Sequence, residues 1–340
     1  MPVHFGLDIG SDTIKAVQSE KRGAQNKLIA LGEIKTPVSL NSQSEVDKRA
    51  LASAIKKLLK DTGINVKKVN LSLSESMIYS QVINLPYLSE TELASAISFE
   101  AEQYIPVPLD EVKLEYIVLS ESIQGAQGKR MEVLLVAAQK HAIDKIAEVA
   151  ELAEITPVAL ETEILSLTRS INSLFEANSI VLDLGHMSTN IFILVNQKLK
   201  LTRSLNTAGE ALTRAVAQEL NMEVLQAEQY KINYGLLPTV LEGKVAKTII
   251  PIFGVILSEI KKGLNFFLQR EKGVEINTLI LSGGGALMPG LDQYLARSLG
   301  LEIVTFNPFK GYIEDGALKK ITHHPKFATA VGLSLREAEE

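Results

Sequence analysis

Short apolar runs with the two-residue period of strands alternate along this chain with stripes of helical period. Runs at 3–9 and 28–34 flank a stretch in which Ile14 and Ala16 alternate with Lys15, which predicts a hairpin and a third strand beside it. Further strands are predicted at 69–73, 77–85, 114–119 and 131–138. In the second half they fall at 180–184, 190–195, 198–204, 278–282 and 302–305. Between them, Leu51, Ile55, Leu58 and Leu59 form one helical stripe, stopped by Gly63. Ser89 and Glu92 have the spacing of a capping box. The helix they open carries Leu93, Ile97, Ala101 and Tyr104 and is expected to end at Pro106. Other stripes run through Ile143, Ile146 and Ala150, through Leu212, Val216 and Leu220, and from Ile249 to Phe267. Hairpins followed by helices predict two α/β domains with mixed sheets.

Two segments repeat one another. FGLDIGSDTIKAVQ begins at Phe5, and IVLDLGHMSTNIFIL begins at Ile180. Each is an apolar run ending in aspartate, an apolar residue and glycine, followed by a polar turn and a second alternating run. Asp8 and Asp183 lie half a chain apart, which points to a duplicated domain and not to a solenoid.

Composition narrows the chemistry. The chain has 340 residues, 46% of them hydrophobic and 22% charged, with a net charge of −5. This excludes wholesale disorder and a nucleic-acid binder that relies on bulk charge. With no cysteine, thiolate catalysis and zinc–thiolate sites are excluded, and five scattered histidines predict no metal cluster. The N-terminus reads as no signal peptide, and the apolar run TIIPIFGVIL at 248–257 is too short to span a bilayer.

An aspartate followed by a glycine turn at a strand end can hold a hydrated magnesium ion and admit an anion to backbone N–H groups. Two such hairpins face to face would clamp a polyphosphate. A third element, LILSGGGALMPGLDQYL at 279–295, ends a strand in three glycines before a helix. It meets neither the P-loop nor the Rossmann pattern. In this order, DIGSDTIK, DLGHMST and LSGGGALMPGL resemble the two phosphate loops and the adenosine loop of the actin-like ATPase superfamily. VALETEILSLTRSI and FATAVGLSLRE resemble its connecting helices, and the stretch ending AEQYK resembles its segment that faces ribose and adenine. Within the superfamily, SFEAEQYIPVPLDEVKLEY at 98–116, NPF at 307–309 and the final helix are similar to the PilM family of type IV pilus machines, relatives of FtsA.

The resemblance implies an actin-like ATPase fold of α/β class: two duplicated RNase H-like domains with FtsA-type subdomains IA, IC, IIA and IIB. The first lobe would span 1–178, with IC at about 86–155, and the second 179–340, with IIB at about 209–265. ATP and Mg would occupy the central cleft. Asp8 and Asp183 would hold magnesium through water. Gly10, Ser11, Asp12, Thr13 and Lys15 would meet the phosphates from one side, and Gly185, Ser188 and Thr189 from the other. Gly209, Glu228, Lys231, Gly283, Gly284, Gly285 and Leu287 would surround the nucleoside. Glu161 would orient water, with Glu163 as the alternative. The chain departs from the family pattern at His186 and Met187, where glycines are usual, at Asp12 for Ser or Thr, and at Ala208 for Gly. These departures favour nucleotide binding with slow or absent turnover.

The implied partner is the N-terminal cytoplasmic segment of a PilN-like inner-membrane protein, bound near Phe99, Gln103, Tyr104 and Pro106. The chain would be cytoplasmic, reaching the inner membrane through that partner alone, with no nucleic acid bound and self-association open. An FtsA-like filament former and a small-molecule kinase are the competing readings. The chain's end at LREAEE, acidic and short, counts against the first.

Overall fold

The computed structural model describes residues 4–125, 128–313, 318, 321 and 324–337. Its strands are β1 (Phe5–Ile9), β2 (Thr13–Arg22), β3 (Gln25–Lys35), β4 (Lys68–Leu73), β5 (Ile78–Pro86), β6 (Val112–Gly125), β7 (Gly128–Gln139), β8 (Thr156–Thr162), β9 (Ser179–Leu184), β10 (Thr189–Val195), β11 (Lys198–Leu205), β12 (Thr278–Ser282) and β13 (Glu302–Thr305). The α-helices are α1 (Glu45–Thr62), α2 (Glu90–Ala101), α3 (Lys140–Leu152), α4 (Glu163–Asn172), α5 (Gly209–Glu219), α6 (Val224–Tyr234), α7 (Lys244–Arg270), α8 (Leu291–Leu299) and α9 (Ala328–Ser334).

The duplication is visible in the topology. One sheet runs β3-β2-β1-β4-β8 and the other β11-β10-β9-β12-β13. In each, the central strand pairs antiparallel with the next strand of its hairpin and parallel with the strand on its other side. β1 and β9 are apolar throughout apart from glycine, serine and the aspartate, because both faces of each sheet are covered. The first sheet packs against α1 and α3 through Leu7, Leu51, Ile55, Leu71, Ile146 and Val149. The second packs against α5 and α7 through Ile180, Leu182, Val216, Phe253 and Ile256.

A third sheet, β5-β7-β6, stands apart and is covered by α2 through Leu85, Leu93, Ile97 and Val133. It takes in residues 78–139, while α3 joins the core of the first sheet. On its other side Val82 and Leu134 share a core with Phe192, Leu194 and Leu199 of the second lobe. A buried ion pair, Lys200 with Glu132, fastens that contact.

Two expectations fail locally. The segment VALETEILSLTRSI is not one helix: its first part completes β8, and α4 begins at Glu163, capped by the Thr162 hydroxyl, which accepts from Leu165 N at 3.1 Å. β8 lies at the sheet edge, where Pro157 is tolerated beside a register shift. The second is α2. Ser89 donates to Glu92 from its N–H at 2.8 Å and its hydroxyl at 2.6 Å, as the capping spacing predicts. The helix nevertheless ends at Ala101, so Tyr104 lies in the following turn, 47% exposed, and Pro106 comes after the end.

The C-terminal helix packs tightly on the first sheet and α4. α9 lies across β1 and α4 at a separation only glycine permits. A Cβ on Gly332 would sit 1.9 Å from the Ser166 carbonyl oxygen, and one on Gly6 2.3 Å from that of Ala330. Ser166 Oγ donates to Thr329 O at 2.7 Å, and Asn70 Nδ2 to Leu333 O at 3.0 Å.

Candidate functional site

The two aspartate hairpins are matching copies in three dimensions. Asp8 stands opposite Lys15 in the β1–β2 register, and Asp183 opposite Asn190 in the β9–β10 register. Gly10 N donates to Thr13 O at 3.1 Å, and Gly185 N to Ser188 O at 3.0 Å, so the turns close identically. His186 and Met187 keep negative φ, and this turn therefore needs no glycine at either position.

The hairpins approach each other. His186 Nδ1 lies 4.0 Å from Asp12 Oδ1, across the gap between the loops. Asp12 also pairs with Lys35 on β3, so the charge it places near the cleft is partly neutralised by its own lobe. Lys15 donates to Asp8 at 3.0 Å. Burial, the largest single effect, disfavours the Lys15 charge, but Asp8 together with Glu163 and Glu33 holds the ammonium above its usual range.

Asp8, Glu163 and Asp183 interact with this ammonium, and Glu75 interacts in turn with Asp183 and Glu163. Burial, with Asp8 nearby, pushes Asp183 up to about 6, against hydrogen bonds from Ser282 and Asn190. Glu163 is pushed well above its ordinary value by burial and by Asp8, Glu75 and Asp183. Glu75 rises to about 7, again through burial first. Glu163 and Glu75 clasp each other's backbone: Glu75 N donates to Glu163 Oε2, and Ile164 N to Glu75 Oε1, both at 3.4 Å. Asn190 Nδ2 reaches Glu163 Oε2 at 3.5 Å. No three acidic or histidine side chains among the described residues are close enough to ligate a metal directly.

Glu161 is elsewhere. It is 7% exposed, and its carboxylate accepts from Arg169 at 2.6 and 2.7 Å and from Arg336 at 2.6 Å. The residue brought to the phosphate-loop aspartates is Glu163, one strand–helix junction further on. Glu75 joins them unannounced: it sits in a single 3₁₀ turn, 75–77, and only the long-range contact with α4 reveals it.

Other expected positions are sorted by packing. Thr189 is fully buried and donates to Thr207 O at 2.8 Å, so its hydroxyl is engaged by its own lobe. Gly209 N donates to Gly185 O at 3.1 Å, which seats the start of α5 on the second loop. Lys231 Nζ donates to Gly209 O at 3.0 Å and to Thr213 Oγ1 at 2.8 Å, and pairs with Glu228 at 2.7 Å. Of the three glycines, Gly283 and Gly285 press on Leu184: a Cβ on either would meet a Leu184 atom at 2.5 Å. A Cβ on Gly284 would meet nothing within 4 Å, so this is the glycine with open space above it. Leu287 beside it is 42% exposed. Phe99, Gln103, Tyr104 and Pro106 are exposed on the small sheet's cap, far in sequence from the two loops.

No helix among the described residues is long and apolar enough to cross a membrane. Comparisons with known proteins agree with this architecture. Cell division protein FtsA of Streptococcus pneumoniae serotype 2 is 23% identical over 367 residues, covering 95% of this chain and 79% of that one. A solved PilM-PilN type IV pilus biogenesis complex contains a chain matching with a TM-score of 0.85 at 28% identity, over 99% of both chains. MreB 5 of Spiroplasma citri, solved with AMPPNP bound, matches with a TM-score of 0.52 at 14% identity, over 97% of this chain and 94% of that one, which shows the shared fold. The family model for type IV pilus assembly protein PilM matches residues 6–338, and the chain accordingly belongs to the PilM family, with an actin-like ATPase fold.

Proposed function

We propose that this chain is a nucleotide-binding scaffold that docks the cytoplasmic tail of a PilN-like membrane protein. The observation that carries the nucleotide part is the meeting of the two matching hairpins, with Asp8, Asp183 and Glu163 near a single ammonium and Glu75 beside them. Such a cluster has an excess of negative charge that burial makes costly. A hydrated divalent cation fits it: the carboxylates are too dispersed for direct ligation, and magnesium keeps its waters. Asp8 and Asp183 would hold magnesium through those waters, and Lys15 would share the phosphate charge. Gly284 leaves room beside the Gly283–Leu184 contact for the nucleoside. When bound, magnesium would supply the positive charge the cluster lacks, and ATP an anion for the two turns. Glu163 faces both aspartates, and burial beside Asp8, Glu75 and Asp183 holds its carboxyl well above the usual carboxylate range.

The partner part rests on the match to the PilM-PilN complex and on the exposed aromatics of α2 and its following turn. Phe99 is 70% exposed, and Tyr87 and Tyr104 are about half exposed. Aromatic side chains in contact with water on one small unit favour peptide docking. The chain would lie at the cytoplasmic face of the inner membrane through that partner. Its lobes would divide at 178/179. Titration with a peptide of the first cytoplasmic residues of the PilN-like protein tests this: wild type should bind, and Phe99→Ala with Tyr104→Ala should weaken binding about tenfold or more without lowering the melting temperature. Unchanged affinity in the double variant would reject this docking site.

A further inference from the structure

We propose that Glu75 is a positioning residue that couples the nucleotide cleft to the small sheet, through Glu163 on one side and Ser80 on the other. The inference deepens the scaffold reading and rests on it.

Glu75 occupies the 3₁₀ turn that leaves β4 at the cleft and enters β5, the first strand of the small sheet. Its N–H holds the Glu163 carboxylate, and its own carboxylate accepts from Ile164 N, the next peptide of the same helix start. The other oxygen, Oε2, accepts from Ser80 Oγ at 3.1 Å, on β5. The Ser80 carbonyl in turn accepts from Thr202 Oγ1 at 3.3 Å, on β11 of the second lobe. One residue thus holds the carboxylate facing the phosphate loops through its N–H, and through its side chain ties the start of α4 to the strand that carries the small sheet. At Ser80 itself, the same strand is anchored to β11.

Chemistry distinguishes this from a passive bridge. Glu75 is 5% exposed, and none of the ion pairs among the described residues includes it. A buried carboxylate without a cationic partner is costly, and a neutral amide or hydroxyl would tie the same three backbone segments at lower cost. A carboxyl differs from an amide here in that its hydrogen bonds can be exchanged when charge beside it changes. The rest of the small sheet is fixed to the second lobe by Lys200–Glu132 and by Val82 and Leu134 against Phe192 and Leu199. A change in how the small sheet sits on the first sheet would be taken up where the chain joins the two, at the β7–α3 junction and at the β4–β5 turn, where Glu75 sits.

The test measures coupling and not affinity alone. Peptide affinity is titrated in the presence of Mg·ADP and of Mg·AMPPNP, for wild type, Glu75→Gln, Ser80→Ala and Ser80→Thr. In wild type the two affinities are expected to differ at least about fivefold. Ser80→Ala should bind each ligand alone with wild-type affinity while the ratio falls to about one. Glu75→Gln should also bring the ratio to about one, and Ser80→Thr, which keeps the hydroxyl, should restore it. Wild-type coupling retained in Ser80→Ala and Glu75→Gln overturns the proposal. So does a wild type that binds both ligands with nucleotide-independent peptide affinity. A wild type that binds neither nucleotide nor peptide overturns the scaffold reading itself.

Discussion

Asp183 and Glu75 hold their protons in the folded chain to about pH 6 and 7, whereas unfolded they release them near 3.8 and 4.5. The folded state therefore binds more protons between these values. The stability these groups contribute is fully present below pH 4 and is lost as pH rises through 6 and 7. In chelator and without nucleotide, the protein should be less stable at pH 8 than at pH 5, by at most about 1–3 kcal/mol per group, more for Glu75 than for Asp183. Urea unfolding at the two pH values checks this. Asp183→Asn and Glu75→Gln should each flatten the difference, and an unflattened difference would place the buried charge elsewhere. Glu161 makes the opposite kind of prediction. Held by Arg169 and Arg336, it is structural, and Glu161→Ala should cost about 3–5 kcal/mol in urea unfolding. Nucleotide affinity of the folded variant should not change. Sequence spacing leaves the two glutamates open because the choice depends on whether residue 161 belongs to a strand or a helix. β8 is an edge strand with half-exposed faces and an internal proline, so neither period is clear in it. Glu75 carries no motif, and its burial arises from contacts distant in sequence.

At the scale of elements, the aspartate hairpins and the glycine loop are legible because each rests on local chemistry: an alternating run, a polar turn, and a backbone that must come close to something. What the glycines approach is less legible. Gly283 and Gly285 are required by Leu184 of the same protein, and Gly284 is the position left open. Gly285→Ala should therefore lower the melting temperature sharply. Gly284→Ala should melt like wild type yet bind nucleotide more weakly. Equal behaviour of the two variants in thermal melts and nucleotide titration would contradict the distinction. α9 shows the same limit: small residues at Ala328, Ala330 and Gly332 announce close packing, but not that the helix would seat against both β1 and α4.

Across the whole molecule, the internal repeat gives two sheets of identical strand order, and this was readable from two aspartate hairpins half a chain apart. The attachment of the small sheet was not. Lys200 and Glu132 lie in unrelated stretches of sequence, and only the folded chain pairs them across the lobes. The two matching hairpins meet, and the exposed aromatics belong to the small sheet's unit. We propose that the hairpins take a magnesium nucleotide. Calorimetric titration of ATP into wild type and Asp8→Asn, with magnesium and with chelator, tests it most directly. Magnesium-dependent binding by wild type is predicted, weakened at least about tenfold in Asp8→Asn, a loss of about 1.4 kcal/mol, with the melting temperature preserved. Equal affinity in the two proteins, or no binding by wild type, would contradict it.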